Sequence, residues 1–411
     1  MRYPIIVKAL LLTVSRSIAA TTLLLLAPAL IAAQELPLSA SLHTDLKTER
    51  MFSRAEAGYV DDQIKLARAF QLGTGVGRDP AEAARWFLKA ANFGSPMAQT
   101  EIGYLYMRGE GLSRDEQQAF KWFQRAAAAD YAPAQYDLAY LLLSGQGTGR
   151  DFPAGATWLA QAAHQGFAPA QVNLAVLYSR GIGVERNEAE AHRWCQEAAK
   201  QHFAPGEFSL GLMYESGIGV VKDASQALRW YRKAAEQGDS RAENNLAGLY
   251  EEGAAVPQDL EEAVKWYKLA AEQGNGNSYI NLARLYAGAR GYKRDYSLAY
   301  FWSLLAQRSP WPVFTGPSQR LIELLRNRLS TEQLTSAEAQ AEDWADKHAP
   351  NAALLDVNKS VRRNPHGWQD LGTSKWRPGL PRPRHWARRR DELLQKQQNL
   401  PFRWPLHQSH I

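Results

Sequence analysis

Three groups of residues have types and spacings that could do chemistry. The first is the glycine-rich loop "GQGTGR" at Gly145–Arg150, whose form suggests a phosphate cradle. Such a cradle needs a strand before the glycines. Here a helical pattern precedes them, and the loop recurs along the chain, so nucleotide binding is not expected. The second is His192 and Cys195, three residues apart and on one face of a helix. They could ligate a metal, but a structural zinc site takes four ligands and no matching second pair exists. The reading that remains is a small thiol in a packing position, with no metal and no cofactor expected. The third would be a nucleophile with its base, or a pair of carboxylates. No Ser/His/Asp set or paired carboxylate stands apart from the repeat described next. Cys195 is the only cysteine, so no disulfide can form within the chain.

The elements that must position these residues are written in a strict period. Trp86, Trp122, Trp158, Trp194, Trp230, Trp266 and Trp302 follow one another every 36 residues. Twenty residues before each stands an aliphatic: Leu66, Ile102, Leu138, Leu174, Leu210, Leu246 and Leu282. A small residue follows each aliphatic, and a Phe, Tyr or Leu stands four beyond it, making one apolar stripe of a first helix, A. Paired glycines end helix A, as at Gly109 and Gly111. Asp79, Asp115, Asp151, Asn187, Asp223, Asp259 and Asp295 then read as N-caps of a second helix, B. Glu82, Gln118, Glu190, Gln226 and Glu262, three residues on, suggest capping boxes. Helix B carries the Trp and, in all copies but the seventh, a following alanine pair. One hairpin cannot bury both faces, so the hairpins must stack.

The run "AQTEIGYLYMRGEGLSRDEQQAFKWFQRAA", Ala98 to Ala127, strongly resembles the Sel-1-like repeat, a relative of the tetratricopeptides. The resemblance spans residues 57–310 in seven units, the seventh degenerate. It implies an all-α, right-handed superhelical solenoid of about seven 36-residue helix-turn-helix repeats. Members of the family bind other proteins, and bacterial ones are often exported. By analogy with the tetratricopeptides, helix A lines the concave surface, two residues before and after each aliphatic. Those positions are Thr100 and Tyr104, Tyr136 and Tyr140, Val172 and Val176, Phe208 and Leu212, Asn244 and Gly248, Ile280 and Arg284. A groove so lined suits an apolar peptide or partner helix. The alternative is that these residues pack between units. Some cysteine-rich members are linked to β-lactam binding, but their paired cysteines are absent here.

The ends differ from the body. Residues 1–33 read as a signal peptide: Arg2, Lys8 and Arg16, then "SIAATTLLLLAPALI", then small residues. An uncleaved membrane anchor is the alternative. Residues 34–56 read as a linker or weak first helix. Within residues 311–357, Ser318–Arg328 and Thr331–Lys347 read as two capping helices, with Leu321, Leu324, Leu325, Leu334, Ala337, Ala341 and Trp344 at helical spacing. Residues 359–411 hold twelve Lys or Arg against three Asp or Glu, while the body from Gln34 to Asn358 is about −6. Residues 358–411 therefore read as a basic Arg/Pro/Trp-rich tail, largely disordered, able to meet an anionic envelope polymer or lipid headgroups. An exported protein rarely meets nucleic acid, and none is expected. The whole reads as a non-catalytic scaffold or adaptor in a bacterial periplasm or envelope. Its alternatives are a regulator of a membrane signalling protein or a β-lactam-binding or hydrolytic enzyme. An enzyme would need ionisable side chains facing each other across copies, and the groove positions show almost none.

Overall fold

A computed structural model describes residues 48–308 and 315–348. The expected leader, the first part of the linker and the basic tail lie outside the described residues. The chain divides into two compact units, one ending at Arg78 and the other starting at Asp79. No strand occurs among the described residues.

In the first unit, residues 48–56 are helical, so the end of the expected linker is structured. Helix α1 (Val60–Leu72) follows. Ala55, Leu66 and Ala67 are fully buried, and Phe52 meets Phe70 edge-on at 5.8 Å. Arg54 donates to Asp62 at 2.6 Å and holds that carboxyl below the usual range.

The second unit opens with α2 (Pro80–Asn92), the first B helix. Then A and B helices alternate: α3 (Pro96–Arg108), α4 (Glu116–Ala128), α5 (Ala132–Ser144), α6 (Phe152–His164), α7 (Ala168–Arg180), α8 (Glu188–Lys200), α9 (Ala204–Ser216), α10 (Ala224–Glu236), α11 (Ser240–Glu252), α12 (Leu260–Glu272), α13 (Gly276–Tyr286) and α14 (Tyr296–Arg308). Each A helix packs on the B helix after it and on the B helix before it. Neighbouring A helices also touch, as α3 with α5 and α7 with α9. The stack is therefore an all-α solenoid with a continuous A-helix face.

The capping logic holds, with one correction. Asp79, Asp115, Asp151, Asn187, Asp223, Asp259 and Asp295 all accept from backbone N–H groups of the B-helix first turn. The reciprocal half of the capping box does not form, because the cap N–H is already engaged. It donates to the carbonyl of the A-helix residue four beyond the aliphatic, as Asp115 to Tyr106 and Asp223 to Tyr214. Glu82, Glu190 and Glu262 pair instead with Arg85, Arg193 and Lys265 three residues on. Among the described residues only Ser330 and Gln333, at the start of the last helix, exchange both bonds.

In four of the loops the second glycine, Gly111, Gly147, Gly183 or Gly219, answers to a close approach. A Cβ on Gly147, at φ 66°, would lie 2.1 Å from the Glu116 carbonyl of the preceding B helix. Seen this way, the phosphate-like loop is a seam between repeats.

The Trp column is buried between hairpins at Trp86, Trp122, Trp194 and Trp302, and half-buried at Trp158, Trp230 and Trp266. Cations lie over several rings, Arg193 over Trp194 at 4.6 Å and Lys233 over Trp230 at 4.0 Å. Two further helices, α15 (Thr315–Arg326) and α16 (Thr331–His348), pack on α14. Ile322, Leu325, Ala337 and Ala341 are buried there, and Trp344 meets Trp302 at 5.3 Å. Leu324, expected on the apolar stripe, is 62% exposed because Ile322 takes the inward position.

Candidate functional site: the A-helix face

The A-helix face mixes packing and surface. Thr100, Tyr104, Tyr136 and Phe208 are buried, which corrects their expected place as groove lining. Thr100 donates its hydroxyl to the Pro96 carbonyl, as an interior threonine does on a helix. Tyr104 lies edge-on to Phe123, Tyr136 to Phe167, and Phe208 is tilted on Tyr231. Tyr104 and Phe208 pack against the B helix of their own hairpin, and Tyr136 against the turn that leads to the next A helix. Tyr140, Val172, Val176, Leu212 and Asn244 are half-buried, as are Gly248 and Ile280, and Arg284 is exposed. The apolar part of the open face therefore sits over repeats 3 to 5.

Polar bonds join successive A helices along this face, within the apolar stretch as well as on either side of it. Tyr104 donates its hydroxyl to Asp137 at 2.5 Å, and the Asn173 amide donates to the Tyr136 oxygen at 3.0 Å. Burial drives the Asp137 carboxyl up to about 7; the Tyr104 bond opposes this and the charge of Glu101 adds to it. Burial, then Asp137, raises the Tyr104 hydroxyl well above its ordinary value. Further along, Ser278 and Asn281 both donate to the Asn244 side chain, at 3.0 and 3.1 Å. Arg284 donates to Glu251 at 2.7 Å, and the Tyr267 hydroxyl donates to the same carboxylate at 2.8 Å. Ionisable groups do face each other across copies, contrary to the expectation drawn from the groove positions alone. Their partners, Asp137 and Glu251, stand at other positions of the helix.

A second polar column escaped sequence reasoning. Gln99, Gln135 and Gln171 donate to the carbonyls of Ala91, Ala127 and Ala163, closing the seam between one B helix and the next A helix. In the next two copies the residue is Glu207 or Glu243, both buried, accepting from Gln237 and Gln273. The signal was available: an amide or carboxylate recurs three residues before each aliphatic from Gln63 to Glu243.

The other candidates dissolve. Cys195 is 3% exposed, with burial pushing its thiol up to about 12. His192 lies edge-on to Tyr214 and is held below its ordinary value by burial. Among the described residues, no group of three or more His, Cys, Asp or Glu could hold a metal. An open cleft of about 690 Å³ lies at the loop seam, lined by Arg114, Asp115, Glu116, Gln117 and the 145–149 loop. Arg114 is bound to Glu116 there, and Asp115 caps α4, so its charges are already spent on the fold.

With the helical hairpins, their caps and their 36-residue period in place, the comparison with known families decides the matter. The Sel1 repeat matches residues 60–94, 96–131, 132–167, 168–203, 204–239, 240–275 and 276–306. The chain belongs to the Sel1 repeat family. It is 34% identical to a Sel1 repeat protein from Oxalobacter formigenes, with a TM-score of 0.56 over 68% of this chain and 81% of that one. It is also similar to a protective antigen of uropathogenic Escherichia coli displaying an SLR fold, at 24% identity and TM-score 0.44, over 82% and 92% of the two chains. No curated protein matches. Sel1 repeats are protein-interaction modules, and this Sel1 protein carries seven of them. No described helix is long and apolar enough to cross a membrane.

Proposed function

We propose that this Sel1 protein is a non-catalytic scaffold of the bacterial cell envelope, holding a protein or peptide partner on its A-helix face. One observation carries the reading. Tyr140, Val172, Val176 and Leu212 remain half-buried on the A helices of three consecutive repeats, where their neighbours Tyr136 and Phe208 are packed away. Half-buried apolar side chains in a row between polar flanks suit a short apolar segment. The envelope placement rests on the leader pattern at residues 1–33.

Photo-crosslinkers placed at Val176 and Leu212, with Gln161 on helix B as the control, test the reading in intact cells. The same protein should be captured at both A-helix positions and not at Gln161. Its purified form should then lose binding to a folded Val176→Asp variant. Equal capture at all three positions, or unchanged binding by that variant, overturns the scaffold assignment. Fractionation of the same cells tests the envelope placement, which a cytosolic pool would overturn.

Asp137 favours a second reading, an acid–base site. A carboxyl held at about 7 beside Tyr104 suits proton transfer at neutral pH. A hydrolytic activity of the purified protein that Asp137→Asn abolishes would establish it. Full activity in that variant would remove it.

A further inference from the structure

The repeats supply their own comparison for a site at the junction of α9, α10 and α11. At the following junction, Glu251 accepts from the Tyr267 hydroxyl and from the Arg284 guanidinium, and Arg290 stands 3.8 Å away. One repeat earlier the same pair recurs: the Tyr231 hydroxyl donates to Glu215 at 2.5 Å. The cations do not recur. The position of Arg284 is Gly248, and that of Arg290 is Ala254. Among the described residues Glu215 makes no ion pair, and the Asn245 side chain also hydrogen-bonds Tyr231. Gly248 brings neither a charge nor a side chain to the position that Arg284 fills one repeat on. A Cβ built on Gly248 would meet only the Tyr267 hydroxyl, at an ordinary 3.7 Å. Glu215 is half-buried, so its charge is partly withdrawn from water without the compensation Glu251 enjoys.

We propose that Glu215 and Tyr231, with Gly248 in the register position that Arg284 holds one repeat on, form a seat for the guanidinium of an arginine carried by the bound peptide. The seat adjoins Leu212 on the same helix, so one segment could lay an apolar side chain on the face and an arginine into the seat. The planar guanidinium matches a carboxylate edge, and Arg284 on Glu251 shows how this scaffold holds one. The inference deepens the scaffold reading and rests on it for the peptide's place.

Full-length protein is titrated calorimetrically with acetyl-Ala-Arg-Ala-amide and with its citrulline counterpart, which keeps the shape and lacks the charge. The arginine peptide should bind at least about tenfold tighter than the citrulline peptide. Glu215→Gln should lose that preference. Gly248→Arg, which supplies internally the cation that Arg284 supplies to Glu251, should lose it as well while melting no lower than wild type. No saturable binding, equal binding of the two peptides, or undiminished preference in either folded variant overturns the seat. Should Gly248→Arg fail to fold, Glu215→Gln decides alone. The titration needs no native partner, so its failure leaves the scaffold reading standing, and failed cross-linking leaves the seat standing.

Discussion

Repeats 2 and 3 and repeats 5 and 6 share one backbone and solve the floor of the hairpin in opposite ways. In repeat 2 the residue after the Trp is Phe123, and the A-helix position sixteen before it is Met107; both are buried in one apolar cluster. In repeat 3 the pair is Leu159 and Leu143. In repeats 5 and 6 it is Tyr231 with Glu215 and Tyr267 with Glu251, each tyrosine donating through the hairpin to a carboxylate. The two columns change together because a buried hydroxyl needs an acceptor and a buried phenyl ring does not. Clearance does not follow that choice: a Cβ would stand 2.4 Å from the Tyr231 ring on Gly211 and 2.8 Å from the Phe123 ring on Gly103, whereas repeat 6 keeps Ala247 at the same position. A repeat fixes where the pair sits, and each copy then chooses whether it is apolar or polar.

The largest expected effect treats both regions alike. Phe123→Ala and Tyr267→Ala should each cost about 3–5 kcal/mol in chemical denaturation, since both rings fill the centre of a hairpin. A cost below about 1 kcal/mol at either site would remove that ring from the core.

Swapping the chemistry separates the regions. Phe123→Tyr should destabilise by about 1–3 kcal/mol, because its hydroxyl would face Met107 with no acceptor. Adding Met107→Glu should restore at least about 1 kcal/mol as a coupling energy in a double-mutant cycle. Simple additivity of the two changes would break the idea that the columns pair.

The next difference lies between two carboxyls, the buried Glu251 and the half-buried Asp137. Glu251 has Arg284, whereas Asp137 has a tyrosine and the unfavourable charge of Glu101. Asp137 moves from the ordinary 3.8 to about 7 on folding. Between those values the folded chain holds a proton that the unfolded chain has released. Its contribution to stability is therefore full below about pH 4 and lost as pH rises through about 7. Asp137→Asn should flatten that slope, by about 3 kcal/mol between pH 4.5 and 8. Identical pH dependence in the variant would show that Asp137 ionises freely in the fold.

How much of this was legible follows from what repetition can and cannot encode. The helices, their order, the Asp caps and the glycine stops were readable, because each is a local rule that seven copies obey. The reciprocal capping bonds failed because the hairpin's own backbone took the N–H first, a tertiary claim that no local rule contains. The buried Tyr104 and Phe208 were misplaced because their side chains reach Phe123 and Tyr231 in the paired B helix. The Gln99–Glu243 column was present in the alignment of the copies, yet a glutamine on a helix normally reads as solvated surface. What a single copy could not disclose was the partner one repeat away.

The smallest expected effect concerns the turn after helix B, which also divides the two halves. Gly94, Gly166, Gly238 and Gly274 hold positive φ there, but two copies place a side chain: Asp130 at φ 57° and His202 at φ 56°. Left-handed backbone costs a non-glycine residue about 1–2 kcal/mol, least for Asp and Asn. Asp130 offsets this by accepting from the Gln135 and Gln165 amides, both at 2.9 Å, which ties the turn of repeat 2 to repeat 3. His202 has no such return; its ring is 79% exposed and 3.9 Å from the buried Glu207. Asp130→Gly should therefore destabilise by about 1 kcal/mol, since two amides lose their acceptor. His202→Gly should be neutral or stabilising by about 0.5–1 kcal/mol, as strain relief outweighs the added freedom of the unfolded chain. Loss of stability in His202→Gly would show that the ring holds to Glu207 and that both turns keep their side chains for a bond.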